Sequence, residues 1–589
     1  MSSSTQHVKN APRIYRPDVV NLLSHRLPRH RLSILHPSFF ILLIVLLITS
    51  ACSTPIPARP PSPDGPEVPV QVLQAALEPS ASLCTGRFVA HALSHNIDVH
   101  GQVAVFDGNG SGLAIGDLNN DGLPDLVLGN LDGPNAIFWN LGELRFRRQQ
   151  LGEAPAQTRG ITIVDVDADG LLDIVLARRY EKPLLWHNSG ADDPQQRFVA
   201  MDLAGVNHPF STLSWADLYG RGELNLIAAS YDTELRDHEG PIFTQRGNGV
   251  GVFIYTADEG GYEGQRLIDQ ADALALATVD LNSDQRLDLI VGNDFNRPDA
   301  IWLQTEAGWQ AATPFAKTTE NTMSLDIGDI DNSGRPAIFA SDMKPYSQDT
   351  ATMARWLPMM KKMSRPLTAD DPQQAENVLQ MQTADGRWQD RGYEHMLGAS
   401  GWSWSSQFGD LDNDGWLDLY VVNGMIAKGL FDHLPNQELV EPNMVFRNRH
   451  GQFVYQQDWS LDSLASGRSM SMADLDLDGD LDIVVNNLRS PAQVFENSIC
   501  NGDGLLVDLR WQGSQNLKAI SAQLTLDTSA GIMTRDIRAA SGYLSGDLAQ
   551  AHFGIPKAAQ INSLTVRWPD GTHSMVTKIS SQMHVTLVR

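Results

Sequence analysis

The sequence predicts an all-β protein: a seven-bladed β-propeller followed by a small C-terminal β-sandwich-like domain. Three observations carry that prediction. An acidic nine-residue pattern, D-x-D-x-D-G-x-x-D or a variant of it, recurs seven times. The recurrences stand 48 to 64 residues apart, with one gap of 81. Short runs rich in β-branched and aromatic residues flank each copy, as strands do. A period near 50 with several short strands per repeat indicates a propeller; an open parallel solenoid is the alternative.

The pattern is complete in "GDLDNDGWLDLYVVN" (409–423), where Asp410, Asp412, Asp414 and Asp418 occupy positions 1, 3, 5 and 9. Four carboxylates this close repel one another unless a cation sits among them. Alternate side chains of such a loop point inward, and the carbonyl of Trp416 at position 7 adds a further oxygen. Hard oxygen donors on a flexible loop suit Ca²⁺, whereas Mg²⁺ needs stricter geometry and zinc prefers His or Cys. An EF-hand would place a glutamate at position 12 between helices; here position 12 is Val421 and both flanks read as strands.

Seven copies begin at Asp117, Asp165, Asp217, Asp280, Asp329, Asp410 and Asp474, hereafter loops 1 to 7. Loops 2, 6 and 7 offer four carboxylates each: Asp165, Asp167, Asp169 and Asp173; then Asp410, Asp412, Asp414 and Asp418; then Asp474, Asp476, Asp478 and Asp482. Loop 1 offers Asp117, Asn119, Asp121 and Asp125. Loop 4 offers Asp280, Asn282, Asp284 and Asp288 but has Gln285 in place of the glycine. Loop 5 ends in Ala337 and is weak. Loop 3 has Arg221 as a built-in counter-charge and is expected to bind no metal. Four to five Ca²⁺ sites follow.

Blade 7 lacks a fourth strand after "AQVFENSIC", and an orphan strand, "CTGRFVAHAL" (84–93), stands before repeat 1. The N-terminal strand therefore completes the last blade, and Cys84 meets Cys500 in a disulfide. Closing so long a loop stabilises the fold by about 4–5 kcal/mol on the chain-entropy account.

An apolar run of 11 residues, "FFILLIVLLIT" (39–49), follows a basic segment and reads as a signal-peptide core. "TSAC" after it resembles a lipobox, so residues 1–51 form a lipoprotein-type leader and Cys52 carries lipid; an uncleaved anchor is the alternative. The proline-rich stretch 52–83 is a tether. An exported protein in the cell envelope results, an outer-membrane lipoprotein facing periplasm or cell surface. The formal charge of −26 excludes phosphate-backbone binding, and no nucleic-acid partner is expected.

The acidic loops resemble the FG-GAP or VCBS-type repeats of integrin α-subunit propellers and of secreted bacterial proteins. The tail, with "SGYLSGD", "HFG" and "VRWPDG", is similar to the ASPIC/UnbV domain. That order resembles the cartilage acidic protein family and its bacterial relatives, and implies a Ca²⁺-dependent extracellular propeller. The propeller spans 84–500, with a helical insert at about 343–400 capping one face, and the C-terminal domain spans 501–589. Tyr543, His552 and Trp568 are candidates for a ligand site or for core packing. The chain has no G-x-S-x-G, H-E-x-x-H or P-loop motif. A binding or scaffold protein for an extracellular or periplasmic protein or glycan is the expected function; an enzyme working at the propeller channel mouth is the alternative.

Overall fold

In each repeat the acidic loop joins the innermost strand of a sheet to its neighbour. The computed structural model describes residues 65–589 apart from 79–83, 241–242, 244–248, 296 and 364–370. The expected leader, Cys52 and most of the tether lie outside these residues. In the first sheet Leu113–Gly116, Asp125–Leu128, Asn135–Asn140 and Phe146–Leu151 run antiparallel in that order, from buried strands inward to a largely exposed outer one. Five further sheets contain the same four-strand meander, and a sixth contains its first three strands. Their innermost strands are Thr158–Val164, Thr212–Ala216, Ala273–Val279, Ser324–Gly328, Gly401–Gly409 and Gly467–Ala473. These neighbour one another in chain order, and the last returns against Leu113–Gly116, so the sheets form a ring. Small residues dominate these strands because seven of them converge on one axis. The protein is an all-β, propeller-type fold.

The ring closes through the N-terminal strand. Val89–Ala92 pairs antiparallel with Gln493–Glu496 on the outside of the last sheet. Cys84 and Cys500 form a disulfide with Cα atoms 5.6 Å apart. Just past this strand lies His95, 5% exposed, its Nε2 3.0 Å from the Gly129 carbonyl. Burial pulls its pKa down to about 4 from the usual 6.5 of a histidine. The unfolded chain therefore takes up this proton first as pH falls, and folding disfavours the charged ring. Stability is expected to drop by up to about 3 kcal/mol between about pH 6.5 and 4, then level off. Denaturant melts against pH should show this slope in the parent and lose that share of it in His95→Gln.

Two four-stranded sheets face each other in the C-terminal domain. One holds Gly531–Asp536, Gln523–Thr528, Ile561–Arg567 and His573–Val576; the other holds Met583–Val588, Asp503–Arg510 and Ala551–Ile555, with Gln71–Ala76 at its edge. Leu505, Val507, Leu524, Leu526, Val566 and Leu587 fill the space between them. The tether expected over 52–83 is thus corrected: Gln71 pairs with Val588 and Ala76 with Met583. Beyond Pro69 the chain has no proline until Pro79, so its N–H groups are free to join a ladder, and Val72 packs on the sandwich core.

The insert expected over 343–400 is also shorter than that. Its helix is Thr350–Met363, anchored by buried Trp356, whose Nε1 donates to Glu441 Oε1 (2.7 Å). Val378–Gln382 and Trp388–Asp390 are the outer strands of the fifth sheet rather than part of the insertion. Among the described residues no helix is long and apolar enough to cross a membrane.

One segment of the C-terminal domain enters the ring. Ala540–Ser541 and Ser545–Gly546 form a small hairpin, and Leu113 pairs with Ser545 and Ala114 with Gly546. Gly542 bridges Leu325 on the other side of the ring. Tyr543 at the tip is fully buried, its hydroxyl donating to the Asn109 carbonyl (2.8 Å) and its ring 5.2 Å from Trp404. The hairpin plugs the propeller axis.

Candidate metal centres

All the acidic loops share one backbone frame. The position 1 carboxylate accepts the N–H groups of positions 5 and 6: Asp410 from Asp414 (3.1 Å) and Gly415 (2.9 Å), Asp474 from Asp478 (3.1 Å) and Gly479 (2.8 Å). Asp165 does so with Asp169 and Gly170, and Asp117 with Asp121 and Gly122. Position 6 is left-handed, with φ of 88° at Gly415 and 99° at Gly479, which explains the glycine. In loop 4 Gln285 takes φ 70° and donates to Asp280 all the same (2.7 Å), so its frame survives the substitution.

The position 9 carboxylates are buried and bind backbone at both ends. Asp418 accepts from Leu411 N–H (3.1 Å) and Asn448 N–H (2.7 Å), and Asp482 from Leu475 (3.1 Å) and Asn497 (2.9 Å). Asp125, Asp173 and Asp288 repeat this with Asn140, Asn188 and Gln304. Position 3 differs: Asp412 is 4% exposed and its Oδ1 has no hydrogen-bond partner.

Three loops gather carboxylates tightly enough for one ion. In Asp165–Asp167–Asp173, Asp410–Asp412–Asp418 and Asp474–Asp476–Asp482, ligand oxygens lie within 4.8 Å of one another. Oxygens around a common Ca²⁺, each at about 2.3–2.6 Å from it, are separated by about that much. Burial first, and the neighbouring carboxylates second, push Asp410 up to about 8. The same causes raise Asp412 to about 7, Asp165 to about 6, and Asp474 and Asp482 well above the usual range. A divalent cation relieves both penalties, so loops 2, 6 and 7 fit Ca²⁺. Asn119 and Asn282 turn their side-chain oxygens to the N–H groups of Asp121 and Asp284 (3.1 Å each), so loops 1 and 4 are less concentrated in charge.

Loop 3 differs from expectation in its electrostatics. Arg221 does not pair with Asp217: its guanidinium lies over the Tyr219 ring, 5.4 Å from the centroid. Asp217 is instead held by the N–H groups of Arg221 (2.9 Å) and Gly222 (2.8 Å). A counter-charge does appear in loop 6, where Arg447 Nη2 pairs with Asp412 and Asp414. It reaches the loop from the third strand and cannot be seen from loop spacing.

Also missed by loop-centred reasoning is a latch between blades. Asn448 Nδ2 donates to Leu417 of its own loop (3.0 Å) and to Ile330 of the preceding one (2.7 Å). Asn140 does the same toward Leu475, Asn188 toward Leu118 and Asn497 toward Leu411. The signal is the asparagine ending "FWN", "WHN", "FRN" and "FEN" in the third strands. Asn448→Ala leaves two buried carbonyls unpaired, and a loss of about 2–4 kcal/mol is expected, read by denaturant melting.

The C-terminal sandwich seats directly on loops 6 and 7. His552 Nε2 lies 3.2 Å from the Gly479 carbonyl, and Gln582 Nε2 donates to the Asp478 carbonyl. At Gly554, in the "HFG" stretch, an added Cβ would fall 2.2 Å from Asp410 Oδ2. Tyr543 and His552 therefore serve the plug and the domain junction, and Trp568 is core, its Nε1 donating to Ser574 Oγ (2.9 Å).

The model of the FG-GAP-like repeat family matches residues 117–176, 280–340 and 368–421, and that of the ASPIC and UnbV family matches residues 512–589. No curated protein matches the chain. Among solved structures it is similar to BBS1N in complex with ARL6DN, at 9% identity and a TM-score of 0.36, covering 72% of this chain and 97% of that one. It is also similar to AofleA from Arthrobotrys oligospora, at 10% identity and a TM-score of 0.32, covering 64% of this chain and 92% of that one.

Proposed function

For a chain that carries FG-GAP-like repeats and a C-terminal ASPIC and UnbV domain, we propose an exported calcium-binding β-propeller that acts as a binding or scaffold protein in the cell envelope. Lipid on Cys52 holds it to the membrane, and its partner is an extracellular or periplasmic protein or glycan. The observation that carries the reading is the recurrence of one carboxylate triad in loops 2, 6 and 7, each at the same place in its blade. When bound, Ca²⁺ supplies charge neutralisation and cross-links loop to strand; no reaction is assigned to it. The chain's own residues do the rest. The position 1 and 9 aspartates order the loop, the asparagine latches tie neighbouring blades, and the rigid ring presents its faces to a partner.

The test has two arms. Metal analysis of the purified protein after dialysis against Ca²⁺ should find at least three bound ions, and fewer in Asp412→Asn. Membrane fractionation of cells should place the parent with the membranes and release Cys52→Ala into the soluble envelope fraction. No bound Ca²⁺ overturns the metal reading, and unchanged fractionation overturns the tether.

An enzymatic alternative draws on one cluster at the ring end opposite the acidic loops. There Asp294, buried and pushed up to about 6, accepts from the Tyr231 hydroxyl (2.6 Å) beside Phe106 and Phe295. The neighbouring Glu234 is paired with both Arg159 and Arg179.

A further inference from the structure

The three loops that depart furthest from the acidic pattern are consecutive, and each contributes an arginine. Arg221 stands at position 5 of loop 3, Arg286 at position 7 of loop 4 and Arg335 at position 7 of loop 5. All three line a single cleft of about 670 Å³, whose other wall supplies Arg538 and Arg567 from the C-terminal sandwich. Five guanidinium groups in one cleft stand out in a chain of net charge −26.

The carboxylates along the cleft do not cancel them. Asp326 and Asp536 are both taken up by Arg538 (3.0 Å each). Asp217 and Asp280 are bound to backbone N–H groups of their own loops. Arg286 reaches Asp284 (3.4 Å) and Glu306 (3.5 Å), the latter 90% exposed at the rim. That leaves three guanidiniums whose contacts are all uncharged. Arg221 lies over Tyr219, Arg335 Nε reaches Ser333 Oγ at 3.5 Å, and Arg567 donates to Gln285 Oε1 (3.0 Å). Among the described residues none of these three pairs with a carboxylate.

One further feature defines what such a cleft accepts. Half-buried Trp309 stands in the lining, its Nε1 3.4 Å from the Tyr219 hydroxyl, so an aromatic surface adjoins the arginines. Arginine forks bind planar carboxylates and sulfate-type oxygens, while aromatic faces take the C–H faces of sugar rings.

We infer that this cleft binds an anionic glycan, an oligosaccharide bearing carboxylates or sulfate esters. Its acidic groups meet Arg221, Arg335 and Arg567, and a ring rests on Trp309. The inference rests on the binding role proposed above and names its ligand class. A long phosphodiester polymer is disfavoured by the chain's net charge of −26.

Calorimetric titration of the Ca²⁺-loaded full chain in about 150 mM salt tests it, using a hyaluronan hexasaccharide, a heparin-derived hexasaccharide and neutral chitohexaose. At least one charged probe should bind about tenfold or more tightly than chitohexaose, and the pair of charged probes separates carboxylate from sulfate recognition. Arg335→Ala, at an exposed position, and Arg567→Gln should each weaken binding about tenfold with the melting temperature unmoved. The inference is overturned if neither charged hexasaccharide binds at millimolar concentration, if binding survives both substitutions together, or if single-stranded DNA of equal charge binds as tightly. Melting the same samples with and without Ca²⁺ keeps the two readings apart. Ca²⁺-dependent stability without glycan binding sinks this inference alone, whereas glycan binding without a Ca²⁺ effect supports it and sinks the calcium reading.

Discussion

Chelation is expected to lower the melting temperature of this protein by roughly 10 °C relative to the same sample in millimolar Ca²⁺. Three triads, each held at about a hundredfold above its dissociation constant, would contribute about 2.7 kcal/mol apiece by mass action. In a chain of this size each kcal/mol moves the midpoint by only about 1–2 °C. The direction follows from the loops themselves. Asp410, Asp412 and Asp418 are all buried, and the carboxylate oxygens they offer lie within 4.8 Å of one another. Without Ca²⁺, Arg447 offsets part of this charge at Asp412 and Asp414, the remaining carboxylates repel or take up protons, and Asp412 Oδ1 is left without a hydrogen-bond partner. Mg²⁺ should reproduce little of the effect, because it resists the irregular, oxygen-rich shell that Ca²⁺ accepts. The measurement is a thermal melt in Ca²⁺, in Mg²⁺ and in chelator, and an unchanged midpoint across all three would remove calcium from the fold's energetics.

A second large effect is expected at the junction between the ring and the sandwich. Gly554→Ala places a methyl 2.2 Å from Asp410 Oδ2 and 2.5 Å from Asn413 Cα, both parts of loop 6. Neither neighbour is the loose end of a flexible side chain. Asp410 is tied to the N–H groups of Asp414 and Gly415, and Asn413 donates from Nδ2 to the Gly479 carbonyl (3.1 Å). Something rigid must therefore move. A loss of about 3 kcal/mol is expected, at the upper end for overpacking, together with weaker Ca²⁺ binding at loop 6. Ser529→Ala, on an exposed turn of the same domain, serves as the control. Calorimetric melts and Ca²⁺ titration of both variants read the result. If Gly554→Ala leaves Ca²⁺ affinity and stability unchanged, the sandwich is not coupled to the loop it covers.

The parts of this protein legible in sequence are those encoded by neighbours in the chain. Asp410, Asp412 and Asp418 lie within nine residues, so their ligand types and spacing are read directly, and the recurrence supplies the sheet count. The strand Val89–Ala92 was legible because the last repeat lacked a partner, and Cys84 and Cys500 flank that gap. Gln71–Ala76 was less so. Proline content marks a tether, and only the pairing with Met583–Val588, at the other end of the chain, turns these residues into a strand. Likewise, the insert's length was obscured because Val378–Gln382 follows a helix, and its membership of the fifth sheet depends on Ala337–Ser341.

Arg221 shows the limit most directly. By spacing it replaces a ligand and should neutralise Asp217; in three dimensions it turns away to Tyr219 and joins a cleft with Arg567, whose chain segment lies far off in sequence. The same holds for Arg447 over loop 6, Gly554 against Asp410, and Tyr543 at the propeller axis. By itself the sequence determined the repeat, the all-β architecture, the oxygen donors each loop carries and the closing disulfide, because periodicity and local spacing state them outright. Only the tertiary structure decided which loops are covered by the sandwich, what plugs the ring and where the unpaired arginines gather, because packing, and not spacing, brings such distant residues together.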